Sequence, residues 1–388
     1  MDRSTRSAPR ATGRHEGPAA RSYTSSYQVL AGPDVLDHLG AELDELVQAA
    51  GAPVTARGTW LRAWVDAYQP DEPWAVAVRE RTTGRLDAVA LLWSRSEDDH
   101  EAITPLGRRQ SDRGVLPVRS PEAADALAAA LVSCLSTRTR PWALRLGQLP
   151  ARDPVVAGVV RRLDSARSVP GLPIPGVEFG EATTIEPWLG RGLRKQLRKA
   201  RNRLDADGDE AEVAFTRDAG DVAVLLDEVE RTHRSRERDA LRTSDLESAS
   251  GLTFWRNTIL QHAENGEVEV AVLRLGGELA SYVVSLLDGD SYRVFDGRCA
   301  TAWARFSPGR LLEAATLERA VGDGRFARVD WMNGCASEKL LAANAVEHTE
   351  HLVASSPGLV VDLDVIGSPP TADADTDPTV LKLASGAR

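Results

Sequence analysis

Three apolar, strand-length segments and the helix that follows them constrain the fold of this chain most strongly. The segments cover residues 268–273, 279–287 and 291–297, and short turns rich in glycine and aspartate separate them. A helix is predicted to begin at Pro308 and to lead into a further strand at residues 328–332. An antiparallel meander, a crossover helix and a returning strand predict a mixed α/β domain with a mostly antiparallel sheet.

A related alternation of helices and strands fills the first half of the chain. Its apolar periodicity predicts a helix over residues 34–49, an aromatic helix around Trp60 and Trp64, and a hairpin at residues 74–93. The other predicted elements are, in order, a strand at 27–30, a helix at 121–136, a strand at 142–146, helices at 154–163 and 189–205, a strand at 213–216, helices at 219–238 and 252–265, and a strand near 349–354 that closes the second domain.

Length and composition predict the domain boundaries. The chain has 388 residues, enough for two domains of ordinary size. Polar segments rich in small residues predict disordered tails at residues 1–22 and 366–388. Several prolines predict a linker at residues 166–184. We therefore expect an N-terminal domain at residues 23–165 and a C-terminal domain at residues 185–365.

Charge and cysteine content exclude several function classes. The formal net charge is −10, so most of the surface repels DNA, and an anionic partner must meet a local basic patch. Three widely spaced cysteines predict neither a disulfide framework nor a zinc cluster, and no metal is expected. No apolar run is long enough to span a membrane. The composition is typical of a cytoplasmic bacterial protein, whose oligomeric state stays open.

Five segments of the second half resemble a known family. They are WLGRGLRKQLRKARNRL, EVERTHRSR, VAVLRLGGELASYVVSLLDGDSYRVFDGR, FSPGRLLEAATLERAV and VDWMNGCASEK. In this order they resemble the CelD-like branch of the GNAT acyltransferases, which is related to the FemAB aminoacyl transferases. The resemblance covers about residues 185–355 and implies tandem GNAT-like domains, the first of them a degenerate copy. It also implies an enzyme whose donor substrate is acetyl-CoA or another acyl-CoA.

The segment from Ser307 to Arg310 opens the predicted crossover helix. Ser307 suits the N-cap and Pro308 the first helical position, while Gly309 lets backbone N–H groups face an anion. The resemblance places the pyrophosphate of coenzyme A here, with Arg305 and Arg310 pairing with its charge. The alternative is a plain capped helix without a ligand, because Ser-Pro-Gly is common at helix starts.

Three polar residues are candidates for catalysis. His233 follows the apolar stripe of its helix, and a histidine suits accepting a proton from an attacking ammonium. Glu230, one turn earlier, is expected to orient His233 or to act through water. Asp296, at the end of the third meander strand, is expected to grip an amine or to accept its proton. The alternatives are a satisfied core histidine and a turn-forming aspartate, and the aromatic residue that the family often shows after this histidine is absent.

The helix at residues 189–205 has a strongly basic face. It carries seven basic residues and no acid between positions 191 and 203, opposite a single apolar stripe. Arg194 and Arg198 are therefore predicted to bind substrate, together with Arg298 and Lys339. The candidate partners are the phosphates of coenzyme A, an anionic glycan or lipid, and a tRNA acceptor stem. The alternative is a solvated face paired with acidic neighbours.

Asp330 lies between apolar Val329 and Trp331, which predicts a buried carboxylate. Such a group needs a partner, and Arg298 and Lys339 are candidates. The residue before Lys339 is a glutamate, where the family has a tyrosine.

Three functions remain open at this point. The first is an acyl-CoA-dependent N-acyltransferase acting on an amino sugar, a polysaccharide precursor or a small amine metabolite. The second is a FemAB-like transferase that takes an aminoacyl group from tRNA, the only function in which tRNA is a partner. The third is a non-catalytic GNAT scaffold that binds a partner protein.

Overall fold

The structure, a computed structural model, describes residues 24–107, 113–208, 210–332 and 343–359. Its helices are α1 Val35–Ala49, α2 Gly58–Tyr68, α3 Pro121–Ser136, α4 Pro154–Val160, α5 Arg191–Asp207, α6 Ala219–Asp239, α7 Ala249–Glu264 and α8 Pro308–Asp323. Its strands are β1 Ser25–Ala31, β2 Glu72–Glu80, β3 Leu86–Ser96, β4 Glu101–Pro105, β5 Trp142–Pro150, β6 Arg167–Pro170, β7 Ile174–Glu178, β8 Ala211–Thr216, β9 Val268–Leu275, β10 Glu278–Asp288, β11 Ser291–Cys299, β12 Arg328–Asp330, β13 Ala345–Glu347 and β14 Thr349–Ser355.

The strands form two seven-stranded sheets. Sheet A has the order β1-β2-β3-β4-β5-β14-β6, and sheet B has the order β13-β7-β12-β11-β10-β9-β8. Within the described residues, neighbouring strands are antiparallel except for β4 with β5 and β11 with β12. Each parallel pair is joined by a crossover helix, α3 in the first half and α8 in the second. The predicted fold class of tandem, mostly antiparallel mixed sheets flanked by helices is confirmed.

Two segments connect the sheets in a way that the sequence does not predict. The expected linker contains β6, which pairs with β14 in sheet A, and β7, which pairs with β12 and β13 in sheet B. The prediction that the last strand closes the second domain is wrong, because β14 lies between β5 and β6 of sheet A. Its side chains Leu352 and Ala354 belong to the core of the first half. The chain therefore crosses twice between the sheets, and the division into two domains stays a prediction.

Helices cover both faces of sheet B. On one face, the apolar stripe of α6 packs with α7 against β9 and β10. On the other face, the stripe predicted for α5 is buried beside α8. Helix α8 carries the chain from the end of β11 back to the start of β12. None of the described helices is long and apolar enough to cross a lipid bilayer.

The first half of the chain contributes to the core on the α6 face of sheet B. Trp60 of α2 is fully buried, and its ring lies edge to face with Phe254 of α7 at 5.2 Å and with Phe295 of β11 at 5.4 Å. Helices α1 and α2 belong to one continuous core with α6 and α7. The aromatic helix predicted around Trp60 therefore attaches the first half of the chain to the second, next to β11.

Candidate active site

Strand β11 extends beyond its parallel neighbour. It pairs with β10 from Ser291 to Cys299, but with β12 from Ser291 to Arg293. Among the residues that the structure describes, positions 294–299 of β11 thus have no strand partner on the β12 side. Backbone N–H and C=O groups on such an edge are available to an extended ligand.

A β-bulge interrupts this open part of β11. Val284 of β10 lies opposite Asp296 and Ser285 lies opposite Val294, so Phe295 is the extra residue. The bulge changes the side-chain alternation, because Val294 packs on the α8 face whereas Phe295 and Asp296 both contact the α6 and α7 face. It therefore turns the Asp296 carboxylate toward α6.

His233 and Asp296 meet in a buried polar cluster. His233 Nδ1 lies 3.0 Å from Tyr282 Oη and 3.2 Å from Asp296 Oδ2. The same Asp296 oxygen accepts hydrogen bonds from Tyr282 Oη at 2.9 Å and from Trp255 Nε1 at 3.1 Å. The side chains of His233 and Asp296 are each 8% exposed, so this site is largely shielded from water.

These contacts determine which nitrogen of His233 carries the proton when the ring is neutral. Tyr282 donates its single phenol proton to Asp296, so the oxygens of both residues face Nδ1 as acceptors. Neutral His233 is therefore protonated at Nδ1 and has its lone pair at Nε2. No hydrogen bond between described residues occupies Nε2. This atom is left to accept a proton from a substrate.

Asp296 stays ionised because of its neighbours. Burial alone raises the pKa of a carboxyl group, but the Arg298 guanidinium and the hydrogen bonds from His233 and Tyr282 hold the pKa of Asp296 well below its usual range. Arg298 Nη1 donates to Asp296 Oδ1 at 3.1 Å, and Arg298 Nε donates to Glu237 Oε1 at 2.6 Å. The Asp296 carboxylate in turn stabilises His233 when the imidazole becomes protonated.

The depressed pKa of Asp296 predicts a contribution to stability that depends on pH. A carboxyl group whose pKa is lower in the folded than in the unfolded chain stabilises the fold above about pH 4 and loses that contribution as the pH falls. We expect Asp296→Asn to lower the free energy of unfolding at neutral pH. The difference from the wild type should narrow below about pH 4. Urea unfolding at several pH values measures this difference, and a difference that is independent of pH contradicts the expectation.

Glu230 lies one turn before His233 on α6 but has other partners. Its carboxylate binds Arg256 Nη1 at 2.8 Å and Arg234 Nη2 at 3.0 Å. The expectation that Glu230 orients His233 is corrected, because Asp296 occupies that position. Since Arg256 belongs to α7, Glu230 helps to fasten α6 to α7.

The start of α8 differs from a plain capped helix. Ser307 has a φ of 53° and a ψ of 51°, in the left-handed region, and its side chain makes no capping hydrogen bond to the described backbone. Its carbonyl accepts hydrogen bonds from the N–H groups of Arg310 at 3.0 Å and Leu311 at 3.3 Å. The prediction that the Ser307 side chain caps the helix is therefore wrong. Such backbone strain costs about 1–3 kcal/mol and is concentrated at functional sites.

Gly309 brings the start of α8 close to the end of β11. A β-carbon added at Gly309 would lie 4.0 Å from Cys299 Cβ and Sγ, an ordinary van der Waals contact. Pro308 occupies the first position of the helix, as predicted. The turn at Ser307 and the open edge of β11 thus adjoin each other.

Both arginines predicted to bind phosphate have acidic partners. Arg305 pairs with Asp207 of α5 at 2.8 Å, and Arg310 pairs with Glu313 one turn along α8. The Arg305 side chain is 66% exposed and stacks over Phe306. Because an exposed ion pair contributes little, a phosphate can replace Asp207 as the partner of Arg305.

The predicted substrate-binding residues lie in different places. Arg298 belongs to the polar cluster around His233. Arg194 and Arg198 are exposed on α5, on the other face of sheet B and beside α8. Lys339 lies outside the described residues. The structure therefore groups Arg298 with the catalytic candidates and the α5 arginines with the α8 face.

Asp330 is buried, as predicted, but its partners are different. Arg113 Nε donates to Asp330 Oδ2 at 2.8 Å, and Arg293 Nη1 donates to the same oxygen. The prediction that Arg298 pairs with Asp330 is wrong, because Arg298 lies in the His233 cluster. Arg293 also donates to Asp288 at 2.7 Å. This network connects the first half of the chain to the paired ends of β11 and β12.

Sequence reasoning misses three members of the His233 cluster: Tyr282, Trp255 and Glu237. A tyrosine inside an apolar strand and a tryptophan on a packed helix do indicate buried polar atoms that need partners. The partner is not indicated, because each contact joins separate elements.

The site lies within a segment that matches a known family. A family model described as an acetyltransferase (GNAT) domain matches residues 191–340. Residues 191–340 therefore form a GNAT acyltransferase domain. The matched segment contains α5 to β12, and with them the open β11 edge, the turn at Ser307 and the His233 cluster. No curated protein sequence matches this chain.

Solved structures share the two-sheet architecture of this chain. FemX matches with a TM-score of 0.60 and 9% identity, over 81% of this chain and 95% of its own. A conserved protein of unknown function from Bacteroides thetaiotaomicron VPI-5482 matches with a TM-score of 0.54 and 9% identity, over 81% and 97%. L-PGS from Bacillus licheniformis matches with a TM-score of 0.51 and 12% identity, over 85% and 97%. At these identities the likeness shows a shared fold that includes both halves of the chain.

Proposed function

We propose that this GNAT acyltransferase transfers an acyl group from acetyl-CoA or another acyl-CoA to the amine of an amino sugar, a polysaccharide precursor or a small amine metabolite. The observation that carries the proposal is the open edge of β11. This edge lies between the start of α8 on one face of sheet B and the His233 cluster on the other. A thioester bound along it meets an amine that approaches from the α6 face.

The donor's pyrophosphate binds at the start of α8. A helix N-terminus carries partial positive charge, which favours an anion, and Gly309 leaves room for close approach. Arg305 and Arg310 add charge by exchanging their acidic partners for phosphate. Ser307 makes no side-chain cap to the described backbone, so its hydroxyl is available to the same ligand. The pantetheine arm then runs along positions 294–299 of β11.

The reaction needs positioning, a base and an oxyanion site. The acceptor nitrogen attacks the thioester carbonyl and gives a proton to His233 Nε2. The C–S bond then breaks, and the proton held at His233 Nε2 passes through water to the sulfur of coenzyme A, which leaves as the thiol and regenerates the base. Backbone N–H groups at the bulge of β11 stabilise the oxyanion. Asp296 is a positioning residue that holds His233 and stabilises its protonated form, and Arg298 faces the acceptor.

A second candidate donor is aminoacyl-tRNA. The fold shared with FemX favours it, and the basic face of α5 supplies the positive charge that RNA binding needs. It requires RNA binding with a steep salt dependence. This donor would be supported if the protein binds no acyl-CoA and transfers an aminoacyl group only when aminoacyl-tRNA is present.

The substitution Gly309→Glu tests the donor site. The introduced glutamate side chain has room beside Cys299, and a carboxylate in the first turn of a helix is favourable, so we expect the variant to fold. Its charge repels a pyrophosphate: two like charges about 4 Å apart interact by ~4 kcal/mol near a protein surface. We therefore expect the affinity for coenzyme A, measured by calorimetry, to fall by at least about 100-fold.

Gly322→Glu is the matched control. Gly322 lies near the other end of α8, and a β-carbon there meets nothing within 4 Å. We expect it to bind coenzyme A as the wild type does. If the wild type and both variants bind coenzyme A with equal affinity, the donor binds elsewhere. If the wild type binds no acyl-CoA, the proposed function is rejected.

A further inference from the structure

We propose that the exposed face of α5 docks on a membrane surface that contains anionic phospholipid. This face is formed by seven side chains, all exposed: Arg191, Arg194, Lys195, Arg198, Lys199, Arg201 and Arg203. Clusters of four to eight Lys and Arg on an amphipathic helix are typical of such surfaces. The inference concerns where the enzyme works and does not rest on the identity of its donor or acceptor.

The α5 cations have no acidic partner among the described residues. None of the seven forms an ion pair with a residue that the structure describes. By contrast, Arg234 and Arg256 pair with Glu230, and Arg274 pairs with Glu228. The chain has 57 Asp and Glu against 47 Lys and Arg, so acids are plentiful, yet none of those described forms an ion pair with this face. The alternative of a solvated face paired with acidic neighbours is not what the described residues show.

The charges also lie where they weaken the helix. Arg191 and Arg194 are in the first turn of α5, which has no acid, and cations there oppose the helix dipole. Gly190 at the N-cap provides no side-chain cap. Like charges recur four positions apart, as in Arg194 and Arg198, and each such pair is unfavourable. A charge pattern that lowers the stability of the helix is consistent with a role in binding an anionic partner.

The geometry of the face favours a lipid surface over a nucleic acid. The apolar stripe of α5 is completely used in packing, so the helix does not insert and binds by charge alone. Between Arg191 and Arg203, its exposed uncharged residues are Gly192, Gln196 and Asn202, which offer no aromatic platform for stacking bases. The cations extend about 18 Å along a helix, at 1.5 Å per residue. A basic face on a molecule of net charge −10 orients that molecule on an anionic surface.

Docking in this orientation places the donor turn close to the membrane. Leu204 of α5 packs in the same cluster as Phe306, and Arg203 donates a hydrogen bond to the Arg305 carbonyl. The end of the basic face therefore adjoins the start of α8. In this arrangement, an amine that is linked to a membrane lipid is the acceptor that lies nearest to the donor site.

The test uses the full chain and vesicles of phosphatidylcholine and phosphatidylglycerol in a two-to-one ratio, compared with phosphatidylcholine alone. We expect sedimentation with the anionic vesicles that is lost at high salt. The double variant Arg194→Gln/Arg198→Gln should bind about 30-fold more weakly, since each cation near the surface contributes about one factor of five. Circular dichroism verifies that the variant is folded.

The control is Arg231→Gln/Arg238→Gln, which changes the net charge equally. Both residues are exposed on α6, on the opposite face of sheet B. We expect it to bind anionic vesicles as the wild type does. Equal loss in the two double variants, or equal binding to neutral and anionic vesicles, overturns the proposal. The proposal is also overturned if the protein binds an RNA hairpin through α5 but does not bind the vesicles.

Discussion

Replacing His233 with alanine is expected to lower the rate of acyl transfer by about 100- to 10,000-fold, the range for loss of a general base. The Nδ1–H of His233 is held by Tyr282 and Asp296, which leaves Nε2 as the proton acceptor. The donor site lies across sheet B, so the dissociation constant of coenzyme A should change little. Initial rates of coenzyme A release with an amine acceptor, together with calorimetry, separate the two effects.

The matched control is His38→Ala. His38 is exposed on α1, where its Nδ1 contacts the carbonyl of Asp34, and we expect a normal rate. Thermal unfolding checks that His233→Ala is folded. Asp296→Asn should also lose activity, because an amide neither fixes the Nδ1 tautomer nor stabilises the protonated ring. A His233→Ala enzyme with a rate within a few-fold of the wild type would remove His233 from the mechanism.

Replacing Trp60 with alanine is expected to lower the free energy of unfolding by about 3–5 kcal/mol, the usual cost of emptying a large aromatic site in a core. Trp60 is fully buried and packs edge to face on Phe254 and Phe295. It therefore joins α2 of the first half to α7 and to the bulge of β11. Urea unfolding should show a lower midpoint with an unchanged slope.

Trp60→Phe is the informative comparison. The Trp60 Nε1 atom is buried without a hydrogen-bond partner among the described residues, so the indole N–H contributes a penalty rather than a bond. Phenylalanine keeps an aromatic ring and removes that N–H. We expect a loss of less than about 1.5 kcal/mol. If Trp60→Ala lowers the free energy of unfolding no more than Trp60→Phe does, the two halves do not share a core at this residue.

Local periodicity was sufficient to predict the helices and the central strands. The stripe from Leu193 to Leu204 is buried on α5 as predicted, and the meander followed by a crossover helix forms β9 to β12. These features depend on residues that are close in sequence. They are therefore visible as apolar residues that repeat every 3.6 positions in a helix or every 2 positions in a strand. The helix start at Pro308 also lies where the sequence predicts it, but the left-handed backbone of Ser307 has no sequence signal.

Long-range pairing could not be predicted in the same way. The apolar alternation of β14 fits either sheet, and its position between β5 and β6 depends on the path of the whole chain. A bulge adds one residue without a composition signature, so the sequence does not show that Phe295 and Asp296 share a face. Arg113 lies 217 positions before Asp330, and many arginines compete for that carboxylate. Which arginine pairs with this carboxylate is decided by the tertiary structure.

A structure of the enzyme crystallised with acetyl-CoA would show directly where the donor binds. We predict the pyrophosphate within about 3 Å of the N–H groups at the start of α8, beside Gly309. The thioester carbonyl should lie at positions 294–296 of β11, with the acetyl group toward His233 Nε2. Acetyl-CoA bound away from the open edge of β11, or a thioester on the far side of sheet B from His233, would contradict the account.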